Sequence, residues 1–66
     1  MRDPKRIAPF CEDLAELWSK VPDWRFGQLM SNLMSHYMSE TGRDVFYVED
    51  NELMERMKLW FRDNSL

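Results

Sequence analysis

The sequence predicts an all-α fold: a compact three-helix domain with a short extended connector before the last helix. Three observations carry this. Apolar residues recur at helical spacing in three separate stretches. Short turn-forming stretches divide them, and only one run of β-prone residues exists, so no second strand is there to pair with it. The 66 residues suit a single domain, with helices expected at roughly 9–20, 23–41 and 50–62.

In the first segment Ile7, Phe10, Cys11, Leu14, Leu17 and Trp18 follow the i, i+3, i+4, i+7 pattern. They fall in an arc of roughly 120°, one face of an amphipathic helix. Pro9 lacks an N–H and fits the first turn, where no partner is needed. Asp3-Pro4 offers an earlier start, so residues 3 to 8 are a candidate short turn of their own. The helix should stop near Val21-Pro22.

Asp23 is expected to be the N-cap of the second helix, accepting amides of its first turn. Phe26, Leu29, Met30, Leu33, Met34, Tyr37 and Met38 then repeat with helical spacing over an arc of roughly 180°, wider than the first. Gly42 stands where a left-handed C-terminal residue is expected. Gly27 lies inside the helix at a cost of up to about 1 kcal/mol relative to Ala, and close approach of another helix or backbone is its expected reason.

Asp44-Val45-Phe46-Tyr47-Val48 reads as an extended connector whose apolar side chains lie across the helices. Glu49 or Asp50 caps the third helix. With Glu49 as the cap, Val48 and Leu53 are placed for a hydrophobic staple. Leu53, Met54, Met57, Trp60 and Phe61 line the inner face, and Leu59 falls outside it. Glu49, Asp50 and Glu52 sit where the helix dipole favours acids. The expected core is Leu14, Leu17, Trp18, Phe26, Leu29, Leu33, Leu53, Met57 and Trp60.

Composition narrows function. Apolar residues make up 44% of the chain and include three tryptophans, which is too much for a disordered segment. The net charge of −3 runs against the basic stripe of a duplex binder. Cys11 is the only cysteine, so neither an intramolecular disulfide nor a cysteine-based metal cluster can form. Lacking such staples, a chain this small is expected in the reducing cytoplasm. No apolar run follows the basic start, so neither a signal peptide nor a membrane span is expected.

Two stretches resemble segments of a known group. Pro22-Asp23-Trp24-Arg25-Phe26-Gly27-Gln28-Leu29, followed by Asn32, resembles Pro-Asp-x-Arg-x-Gly-Gln-Leu. Asp44 through Leu53 resembles Phe-Tyr-x-Glu-Asp-x-x-Leu. Together they look like a group of short, uncharacterised proteins of bacterial and prophage genomes, over nearly the whole chain and in the same order. The resemblance implies a compact helical protein of bacterial or phage origin. It implies no activity, and it carries over no functional residue.

Residues that could carry chemistry have blander explanations. His36 has no second histidine or cysteine pair beside it and reads as a helix-surface residue. Glu12 and Glu16 share a face but point away from the apolar stripe, so a solvated pair is expected. Glu49-Asp50-Asn51-Glu52 lacks the spacing and glycine of a calcium loop and reads as helix capping. Arg25 and Gln28 could grip an anion, but tying the loop at Pro22 is preferred. Arg2, Lys5 and Arg6 form a basic end with no aromatic between them to stack a base.

The expectation is therefore a protein-interaction module, an adaptor or inhibitor, with no catalytic, cofactor or metal site. Its partner is a host protein or a second copy. The residues expected at the contact are Met34 and Met38, because the second helix's apolar arc is wider than two neighbours cover. Leu59, displaced from the third helix's inner face, and Trp24, on the opposite side of the second helix's first turn, are expected as further exposed apolar groups. The competing expectation is that Val45, Phe46 and Tyr47 fold over that edge. The alternative function is a nucleic-acid-associated accessory protein using Arg2, Lys5 and Arg6.

Overall fold

The computed structural model describes residues 2–66. Its elements are α1 (Ile7–Trp18), α2 (Phe26–Thr41) and α3 (Asp50–Asp63), with 3-10 turns at Pro4–Arg6 and Val45–Tyr47. The fold is the all-α three-helix domain expected. The backbone of α3 packs closely against both α1 and α2, whereas α1 and α2 meet mainly through side chains. Trp18 on α1 and Phe26 on α2 make such a contact, with ring centroids 5.6 Å apart.

The helical path starts earlier than the apolar pattern alone implies. The Asp3 carboxylate accepts the Lys5 N–H at 2.9 Å and opens the Pro4–Arg6 turn, which runs straight into α1. Pro9 still lies in the first turn of α1, where its missing N–H breaks no bond. After Trp18 the chain closes a run of tight turns, with Val21 N–H donating to Trp18 and Trp24 N–H to Val21. The Trp18 indole N–H donates to the Trp24 carbonyl at 2.8 Å and ties this loop to α1.

The N-terminus of α2 differs from expectation. Asp23 lies within the Val21–Trp24 turn, and its carboxylate accepts no amide from residues 25 or 26. The helix begins at Phe26, with Arg25 as an extended N-cap residue. Gln28 does the capping from three residues inside, its side-chain oxygen accepting the Arg25 N–H at 2.8 Å. Arg25 and Gln28 thus tie the loop to the helix. At the other end Gly42 is left-handed (φ 69°) and donates to the Met38 carbonyl, which closes the helix as expected.

The buried core is Leu17, Val21, Leu29, Leu33, Met54, Met57 and Phe61, with Tyr37 also buried. Leu14, Trp18, Leu53 and Trp60, expected in the core, form its half-buried rim along with Phe10, Trp24 and Met30. Phe26, also expected there, is 49% exposed. It occupies the first position of α2 and meets the Trp18 ring at the edge of the core. On α3 the buried line is Met54, Met57, Phe61, flanked by Leu53 and Trp60. That shift arises because α3 lies between two helices, so its most buried line points into the crevice they share. At the C-terminus Ser65 adopts a left-handed φ of 57° and lets Leu66 N–H donate back to Phe61, a Schellman closure made without glycine.

Three ion pairs join the N-terminal region to α3: Arg2 with Glu49, Arg6 with Asp50 at 2.6 Å, and Lys58 with Asp13 at 3.3 Å. All are exposed, so each fixes orientation more than stability.

Candidate functional site

Helix α2 is unusual in its chemistry. Among its sixteen residues only Glu40 carries a formal charge, although charged residues make up 32% of the chain. Its core-facing line is Leu29, Leu33 and Tyr37, all buried. The Arg56 guanidinium sits over the Tyr37 ring at 5.8 Å, and the half-buried His36 ring lies 6.3 Å from that of Trp60. These contacts place α3 along one flank of α2.

At about 100° per residue, Met30, Met34 and Met38 turn progressively away from the core line. Met30 still packs on the core, whereas Met34 is 43% exposed and Met38 51%. Ser31, Ser35 and Ser39 are exposed beside them. The result is a neutral, partly apolar surface on the side of α2 remote from α3.

The connector does not cover it. Val45–Tyr47 forms a 3-10 turn, not an extended segment, because the Asp44 carboxylate accepts the Phe46 N–H at 2.9 Å. Val45 is half-buried, while Phe46 and Tyr47 are 82% and 79% exposed and stack edge to face with centroids 5.0 Å apart. The expectation that these side chains lie across the helices is thereby corrected. The missed signal was Asp44, since an aspartate two residues before an amide is a common turn-former.

Of the other residues expected at a contact, Leu59 is 38% exposed on α3. Trp24 is not an exposed group. It is half-buried against the core, its ring centroid 6.1 Å from that of Trp60, and its carbonyl holds the Trp18 indole. Being drawn back by the tight turns before α2, it packs inward instead of projecting from the first turn.

Gly27 also departs from expectation. A Cβ built there has nothing within 4 Å, so no intramolecular close approach requires glycine. It borders a shallow depression with Trp24, Gln28, Ser31 and Asn32.

At the basic end Arg2 grips Glu49 with two hydrogen bonds, Nε to Oε2 and Nη2 to Oε1, and Arg6 donates to Asp50. The hydrogen bond from Arg2, reinforced by its charge, holds the Glu49 carboxyl below the ordinary glutamate range and raises Arg2 correspondingly. These acids were expected to cap α3. Glu49 occupies the N-cap position but makes no side-chain cap bond, and pairs with Arg2 instead.

An open groove of about 480 Å³ runs between α1 and α3, with Pro9, Phe10 and Met54 among its lining. Four of its five charged lining residues are paired, Arg6 with Asp50 and Lys58 with Asp13, and the fifth is Glu55. Among the described residues, no group of three or more histidine, cysteine or carboxylate side chains is placed to hold a metal ion. No described helix is long and apolar enough to cross a membrane. Compared with protein-family models, with curated proteins and with solved structures, the chain matches none.

Proposed function

We propose that this chain is a small cytoplasmic protein-interaction module, an adaptor or inhibitor that acts by docking and performs no chemistry of its own. The observation that carries the reading is the exposed Met34–Met38 flank on a helix almost free of charge. Methionine side chains are flexible and polarizable, which suits an adaptable contact surface. Interface centres are depleted of charge and enriched in methionine and aromatic residues. Leu59 is a separate apolar group on another helix, of a kind that soluble surfaces commonly carry singly. Trp24, half-buried against the core, is left out of the proposed contact. The bacterial or phage origin rests on the two resembling segments, and the cytoplasmic location on the single cysteine.

A photo-crosslinking residue placed at Met38, and separately at the exposed Glu12 on α1, tests this reading in bacterial cells producing the chain. A discrete protein adduct at position 38 and none at position 12 is the expected result. Equal labelling at both positions, or none at either, would contradict it.

A further inference from the structure

We infer that the occupant of the Met34–Met38 flank is a second copy of this chain, joined through α2 about a two-fold axis. The inference rests on the reading of that flank as a docking surface and names what docks there.

Area provides the first argument. The chain exposes 5136 Å². A monomer of 8.1 kDa is expected to expose about 4,500 Å². Its radius of gyration is 12.0 Å, against about 11 Å for a compact domain of this length. The excess is about 600 Å² per chain, or about 1,200 Å² for a pair, the lower edge of specific interfaces. One pairing through one flank would bring this chain's exposed surface to that of an ordinary domain.

Charge provides the second. A two-fold contact sets each residue near its own copy, so any charge at the centre would face its like. Residues 26 to 39 include no Asp, Glu, Lys or Arg, in a chain whose net charge of −3 disfavours self-association through its other faces. Residues 26 to 39 are the longest charge-free stretch of the chain, longer than the four residues Val45–Val48, and so give two helices room to meet without that repulsion. A foreign partner could instead be matched by complementary charge, and the flank presents none to match.

Shape is compatible with this. Met34 and Met38 lie one turn apart and form a short ridge, with the smaller Ser31 and Ser35 beside it. Two such helices pack ridge into groove at about −50°, each methionine pair seating beside the other copy's serines.

Sedimentation velocity from about 10 μM to about 1 mM tests the inference, since an interface at this lower edge gives a weak dimer. The parent should move from monomer toward twice its mass across this range. A variant carrying Met34→Glu and Met38→Glu should stay monomeric with its helical circular dichroism unchanged. Should that variant unfold, thiol crosslinking still decides. Ser35→Cys in a Cys11→Ser background should form crosslinked dimer at least tenfold faster than the exposed Cys11 of the parent, which reports random collision on α1. Dimer formation that survives the double substitution with the fold intact, or a Ser35→Cys rate equal to that of Cys11, would overturn the proposal. A chain that stays monomeric throughout, yet gives a foreign adduct from position 38, would overturn self-association and leave the docking reading standing. Monomer without any adduct would remove both.

Discussion

Helices α2 and α3 are similar in length and opposite in how they meet solvent. Half of the fourteen residues of α3 are charged, and its apolar stripe is narrow and buried between two neighbours. Helix α2 has the broader apolar arc and one charge, and its Met34–Met38 flank stays half exposed although α1, α3 and the Val45–Tyr47 turn all touch the helix elsewhere. On α3 the boundary between core and solvent is drawn in charge. On α2 it is drawn in serine and methionine, so nothing opposes a further surface settling there. Arc width alone does not separate the two helices; the absence of charge beyond the arc's edge does, and it is the property on which the proposed docking at α2 rests.

The comparison can be broken most sharply within α2 itself. Leu33 is buried on the core line and Met38 is half exposed five residues on. Leu33→Ala should cost about 2–5 kcal/mol, most of the stability of so small a domain. Met38→Ala in dilute solution should cost at most about 0.5 kcal/mol. Urea denaturation of both variants checks this, and equal losses would erase the distinction between core line and flank.

A smaller effect is expected at the start of the same helix. Gln28→Ala removes the acceptor of the Arg25 N–H and should cost about 0.5–1.5 kcal/mol. Asp23→Ala, inside the preceding turn, should lie within about 0.5 kcal/mol of the parent. Thermal melts that reverse this order would restore Asp23 as the cap. Next to Gln28, Gly27→Ala should raise stability by up to about 1 kcal/mol, because open space receives the methyl group and the unfolded chain loses freedom. A destabilised variant would reveal a close approach at that point after all.

The smallest effect belongs to the charged end of α3. Glu49 has its folded-state pKa lowered by Arg2. Its contribution is therefore present above the ordinary glutamate value and is lost as pH falls through that value to the lowered one. Glu49→Gln should melt slightly below the parent at neutral pH and level with it in acid. A gap that widens in acid would contradict the pairing.

Much of the architecture was legible because periodicity reports it directly. Three apolar arcs, the Gly42 stop and the Asp3-Pro4 start required no tertiary information. The finer placements depended on packing. The inward line of α3 is set by two neighbours at once, which moved burial from Leu53 and Trp60 to Met54 and Phe61. The loop at residues 19–25 is governed by backbone turns and by the Trp18 indole, so Trp24 turned inward and the cap passed from Asp23 to Gln28. At the connector, the Asp44 turn outweighed hydrophobicity and left Phe46 and Tyr47 outside. Met34 and Met38 were legible as edge residues from arc width. What could not be read was whether anything covered them, since that depends on where a three-residue turn points.

The methionine methyl groups give the most direct test of the account. They report the flank and the core in one NMR spectrum of the parent. On about a hundredfold dilution from millimolar concentration, the ε-methyl signals of Met34 and Met38 should shift as the weak contact dissociates, while those of the buried Met54 and Met57 hold still. Signals of Met34 and Met38 that stay fixed across the dilution, or that move no more than those of Met54 and Met57, would contradict the assignment of that flank as the docking surface between copies.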